Sequence, residues 1–138
     1  MLKIIRSEHS VKGSLNDDPI ILMYQFFKHK DKSRHKEVQE CLQKNVNSKL
    51  FDRIILLNER NYTSEELGVS IDLVEQINIG HRLYFSDIFD YVDNLDLKGY
   101  IVTCNADIFF DKSLQNIKYT HLHDEKMIYA QLRFEYTD

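Results

Sequence analysis

Turn-forming residues are scarce in this chain: four glycines and one proline in 138 residues. The glycines, Gly13, Gly68, Gly80 and Gly99, are isolated, so no glycine-rich loop is present to cradle phosphates. That disfavours P-loop enzymes and dinucleotide-binding Rossmann domains. A serine nucleophile elbow and a Cys-x-x-Cys are also missing. The only cysteines, Cys41 and Cys104, sit among apolar neighbours and read as buried free thiols. Free thiols suit a reducing compartment, and a cytoplasmic location is expected, although two cysteines leave a bridge open. No apolar run approaches the roughly 20 residues that span a bilayer, and Met1 to Gly13 is too charged for a secretory h-region. Without an export signal, Asn61-Tyr62-Thr63 reads as a chance glycosylation pattern. The formal charge of −4 argues against nucleic acid as a partner. The densest basic run, Lys28 to Lys36, reads as a solvated loop and helix start, with a phosphorylated ligand as the alternative.

What is present fits one globular domain over residues 1–138: 43% hydrophobic and 29% charged residues, at a length that supports a single core. Leu2 to Ile5 is a short strand candidate, and Asn16-Asp17-Asp18-Pro19 is a turn signal. The run Ile20 to Phe27 has the length and continuous apolarity of a strand buried on both faces. Ser33 is the expected N-cap of a helix whose stripe is Val38, Cys41, Leu42 and Val46, closed by Asn47-Ser48. Phe51 to Leu57 is a second buried strand. Thr63-Ser64-Glu65-Glu66 opens a helix that Gly68 cuts short, and Val74 to Ile79 is a more polar strand, nearer a sheet edge. After the turn Gly80-His81-Arg82, residues Tyr84, Ile88, Tyr91, Val92 and Leu95 share a helical face, widened by Phe85 and Phe89. Lys98-Gly99 then leads into Tyr100-Ile101-Val102, Ser113 to Ile117 forms a turn of helix, and Met127 to Tyr136 alternates as a last strand. Strands alternating with helices predict an α/β fold, a mostly parallel, Rossmann-like sheet flanked by helices.

In such sheets ligands bind beyond the carboxyl ends of the strands. Gln25 to Lys28, Asn58-Glu59, Gly80 to Arg82 and Asn105 to Asp111 all fall at those ends. Asp107 reads as a ligand of a hard divalent cation or as a strand-end cap. Asn105, two positions away on an extended chain, shares its face and favours the ligand reading. Asp111 is a further ligand or the cap of a turn beginning at Lys112. Glu59 accepts hydrogen bonds from a base or ribose, or is a solvated carboxylate. Arg82, a cation at a helix start, opposes the macrodipole and would be explained by a phosphate or carboxylate partner. His121 and His123 form a His-x-His pair in a polar stretch, either exposed or metal-binding.

From Pro19 to Asp111 these segments resemble, in order and separation, the nucleotide-binding half of GT-A-fold glycosyltransferases of the family 2-like group. Asn105-Ala106-Asp107 is similar to the Asn-x-Asp variant of the family's Asp-x-Asp motif. The resemblance implies Mn²⁺ or Mg²⁺ on the diphosphate of a UDP-type nucleotide sugar, held by Asp107 with Asn105 and Asp111. It also implies Arg82 beside the diphosphate, Glu59 near uracil and ribose, and Gln25 and Phe26 around the base. The acceptor is an unknown glycan, lipid or protein. The family's acceptor-binding half would lie beyond this sequence, so the resemblance implies a truncated GT-A-like portion of a longer domain. Two other functions stay open: a non-catalytic GT-A-like nucleotide-binding or interaction module, and a Mg²⁺-dependent nucleotidyltransferase. A sheet shortened in this way also leaves open a homodimer that covers its edge.

Overall fold

The computed structural model describes residues 15–120, 122, 128–130 and 135–136. Within them, four strands, β1 (Ile20–Tyr24), β2 (Arg53–Asn58), β3 (Glu75–Asn78) and β4 (Tyr100–Val102), form one sheet. The order is β3-β2-β1-β4 and every pairing is parallel. This is the α/β, Rossmann-like sheet expected from the sequence. The candidate strand Leu2 to Ile5 and the pair His121 and His123 lie outside the described residues, as does half of Met127 to Tyr136. The described part of that last segment is not in a strand.

The alternation of side chains along each strand sorts the core into two layers. Leu22 and Tyr24 of β1, with Phe26 beyond it, join Ile54 and Leu56 of β2 on one face. They pack there against Val38 and Leu42 of α1 (Lys32–Asn47) and Leu67 of α2 (Ser64–Leu67). Ile21, Met23, Ile55 and Leu57 point the other way, onto Ile88, Tyr91 and Val92 of α3 (Phe85–Asn94). All five residues of β1 are buried because both of its faces and both of its edges are covered. Each large aliphatic side chain removed from water in this way contributes about 1.5–3 kcal/mol.

Local chemistry sets where the elements begin and end. The carboxylate of Asp31 accepts the Arg34 N–H at 3.0 Å, so α1 is capped by Asp31 rather than by the expected Ser33. Thr63 and Glu66 form a reciprocal capping box on α2. Gly68 ends that helix at φ 76°, a left-handed conformation glycine adopts without strain. At Gly99 (φ 119°) a Cβ atom would lie 2.2 Å from the Pro19 carbonyl oxygen. Only a glycine allows the approach that brings the Tyr100 N–H to that same oxygen at 2.8 Å, joining β4 to β1. β3 is an edge strand, as its polarity foretold. Its Glu75 and Arg53 of β2 form a two-pronged ion pair at 2.6 and 2.8 Å.

The helix α3 departs from expectation in one respect. Ile88 is buried, and Tyr91 and Val92 are partly buried, but Tyr84, Phe85, Phe89 and Leu95 are exposed. A narrow stripe suffices to cover this face of a four-stranded sheet, so the widened apolar face projects into solvent.

Candidate functional site

Because the strands are parallel, the segments following all four leave the sheet at one edge. The connections β1-α1-β2 and β2-α2-β3 step outward along the sheet, and the chain then crosses on the opposite face through α3 to place β4 beyond β1. The direction of winding reverses between β1 and β4. In open α/β sheets that reversal opens a crevice at the carboxyl ends of the two strands. Gln25 and Phe26 leave β1 on one side of it, and Asn105 and Asp107 follow β4 on the other.

The motif itself is a turn, not the extended segment assumed from the sequence. The Ile108 N–H donates to the Asn105 carbonyl at 3.2 Å. Ala106 is buried in the core and pins the turn, while Asn105 and Asp107 are exposed. Among the described residues neither side chain makes a hydrogen bond or ion pair, and both are accessible to solvent. Asp111 stands apart from them. Its carboxylate accepts the Ser113 N–H at 2.9 Å and the Ser113 hydroxyl, capping the 3₁₀ helix Lys112–Tyr119. Those bonds hold its carboxyl below the usual range, and they make the cap its observed role. Beneath the motif, burial pushes the Cys104 thiol up to about 12, helped by the neighbouring Cys41 and Asp107. Burial, and then Asp107, also raises Cys41. Both cysteines are free thiols, as read from the sequence.

The remaining candidates divide into frame and surface. Gln25 is a frame residue: its Nε2 donates to the Leu57 and His81 carbonyls at 3.1 and 3.0 Å, and its Oε1 accepts the Leu83 N–H at 3.2 Å. It ties the ends of β1 and β2 to the β3–α3 loop that carries Arg82. Phe26 is fully buried, its ring edge-on to Tyr62 and His35 and its N–H bonded to Asn58, so it too belongs to the frame. Glu59 and Arg82 are exposed, and among the described residues neither makes a side-chain hydrogen bond or ion pair. No hydrogen bond or ion pair links Glu59, Arg82, Asn105 and Asp107 to one another among the described residues. They share an edge but act as separate contact points.

Two buried amides complete the frame: Asn58, which the sequence set at a strand end, and Asn45, which it passed over. Asn58, fully buried at the end of β2, accepts the Phe26 N–H at 2.9 Å and donates to Gln76 Oε1 at 3.0 Å. Gln76 in turn exchanges two hydrogen bonds with the Tyr62 backbone. Asn45 on α1, 1% exposed, donates to the Ile108 carbonyl and accepts the Phe110 N–H, both at 3.0 Å. It holds the strap that follows the motif as a neighbouring strand would. The available signal was an asparagine one helical turn beyond Cys41 and Leu42, inside the apolar stripe.

Beside this edge lies a cleft of about 350 Å³, lined by Lys28, His35, Gln39, Glu65 and Glu66. Glu66 is already committed there, paired with Arg60 at 2.6 Å and Lys28 at 3.7 Å. Among the described residues no group of three or more His, Cys, Asp or Glu side chains is arranged to hold a metal ion. Nor is any helix among them long and apolar enough to cross a membrane. No family model matches the chain, no curated protein matches it significantly, and no solved structure does so either.

Proposed function

We propose that this chain is a GT-A-like domain that binds a nucleotide-diphosphate sugar, of the UDP type, and transfers the sugar to a glycan, lipid or protein acceptor. The observation that carries the reading is the Asn105–Asp107 turn. It presents one carboxylate and one amide oxygen, free of protein partners among the described residues, at the switch point between β1 and β4. Hard oxygen donors suit Mn²⁺ or Mg²⁺. Two of them form only part of a coordination shell, which fits a cation that arrives with the diphosphate and keeps water ligands. Such a cation, when bound, neutralises charge on the departing diphosphate as a Lewis acid.

The chain's own residues then have distinct tasks. Asp107 and Asn105 anchor the diphosphate end, and the exposed Arg82 guanidinium adds a second positive contact. Gln25 holds the Arg82 loop in place, and Glu59 accepts from the nucleoside. Phe26 packs beneath the edge and supports it rather than touching the nucleotide. Asp111 is no longer part of the proposed set, because its carboxylate is occupied as a cap. A second reading, binding without transfer, is favoured by Asn105 itself. A neutral residue where the family has an aspartate leaves the site one charge short.

Calorimetric titration with UDP, with and without Mn²⁺, tests the binding. The expected result is metal-dependent affinity that Asp107→Ala abolishes and Arg82→Ala weakens with or without metal. UDP binding indifferent to both metal and Asp107→Ala would overturn the metal role. Release of free sugar or a glycosylated acceptor from UDP-sugars separates transfer from binding alone.

A further inference from the structure

We propose that the outward side of α3 is a docking surface for a basic amphipathic helix of a partner polypeptide. Phe85 and Phe89, one turn apart, are 73% and 57% exposed, which is unusual for two aromatic rings on the most regular amphipathic helix of the fold. The same row continues into Asp93, and Asp90 lies beside it. Both carboxylates are exposed and have no cation partner among the described residues. From Phe85 to Leu97 the chain has no basic residue.

An apolar pair one turn apart, followed by unpaired acids, is the complement of a helix with apolar anchors and lysine or arginine at its flank. Helices that dock in this way use anchors at i and i+4. Charge and area narrow the choice of occupant. A second copy meeting α3 with α3 would set Asp90 and Asp93 against their own equivalents or bury them on phenylalanine, and both cost free energy. An anionic membrane would be repelled. The two exposed rings offer on the order of 250 Å². That is well short of the roughly 800 Å² per partner of a standard stable interface between folded proteins, but it fits one short helix.

The test is titration of ¹⁵N-labelled protein with a synthetic helical peptide of roughly 18 residues built from leucine and lysine at amphipathic spacing. A leucine–glutamate counterpart is the control. The expected result is amide shifts confined to α3 and its flanks for the lysine peptide and none for the control. Phe85→Ser with Phe89→Ser should weaken binding about tenfold or more. Asp90→Asn with Asp93→Asn should weaken it several-fold and flatten its salt dependence. These four side chains lie at the surface, and an unchanged amide spectrum of each unbound variant verifies its fold. Shifts centred on another surface, or binding unchanged by both double substitutions, would overturn the proposal. Reversible self-association in sedimentation equilibrium that the phenylalanine substitutions abolish would assign the face to a second copy. Phenylalanine-dependent flotation with phosphatidylcholine vesicles would assign it to lipid. Either result would also overturn the proposal.

Discussion

Replacing Asn45 tests whether a buried amide frames the motif loop. Its side chain makes two hydrogen bonds of 3.0 Å to the backbone of Ile108 and Phe110. Asn45→Leu keeps the branch at Cγ and the number of side-chain heavy atoms but leaves the Phe110 N–H and the Ile108 carbonyl without that partner. At about 1–3 kcal/mol for each of the two groups deprived of its partner, the loss is roughly 2–6 kcal/mol. That is a large share of the roughly 5–15 kcal/mol that holds an ordinary domain together. Urea denaturation reads it as a lower midpoint at unchanged slope, and the Phe110 amide exchanges faster in the variant. Asn45→Asp sharpens the test. The neutral carboxyl can still donate to Ile108 and accept from Phe110, whereas the carboxylate can only accept and is buried without a counter-charge. Its folded pKa is therefore raised above the unfolded value near ~3.9. The stability it carries is fully present below that value and is lost as pH rises through the folded pKa. Asn45→Asp should approach wild type in acid and fall behind it at neutral pH. A loss under about 0.5 kcal/mol for Asn45→Leu, or a pH-independent gap for Asn45→Asp, would refute the reasoning.

Two further predictions concern the neighbouring loops. Gln25→Ala removes the acceptor of the Leu83 N–H, and hydrogen exchange at that amide should accelerate about fivefold or more, from roughly 1 kcal/mol of lost hydrogen bonding. The Arg60 guanidinium, and then the Thr63 N–H, hold Glu66 at about 2 instead of 4.5. A depressed carboxyl stabilises the fold above its unfolded value and loses that contribution in acid. The stability gap between wild type and Glu66→Gln should therefore be full above pH 4.5 and close as pH falls toward about 2.

The layered sheet was legible because its signals are local. Ile20 to Tyr24 and Ile54 to Leu57 are apolar on consecutive positions, which only a strand covered on both faces requires. Thr63, Glu66 and Gly68 spell out a short capped helix. The α1 boundary moved because Asp31 and Ser33 are both competent caps, and the choice between them depends on where the helix axis enters the core. The phenylalanines of α3 could not be sorted by periodicity, since a hydrophobic face does not report how much of it the sheet is wide enough to cover. At the candidate site, the position of Asn105 and Asp107 at a strand end was legible, but the turn between them was not. Gln25 was named for contact with a base, yet its amide is spent on three backbone groups. Side-chain-to-backbone bonds spanning 32 to 65 residues leave no periodic trace in sequence.

The residues that frame this edge, Gln25, Asn45, Asn58 and Gln76, are all carboxamides. A carboxamide neither gains nor loses a proton between strong acid and strong base, so the scaffold of the loops is silent to pH. Any protonation dependence found in ligand binding at this edge then originates outside these four amides. A simple pH series on the intact protein therefore bypasses this part of the scaffold.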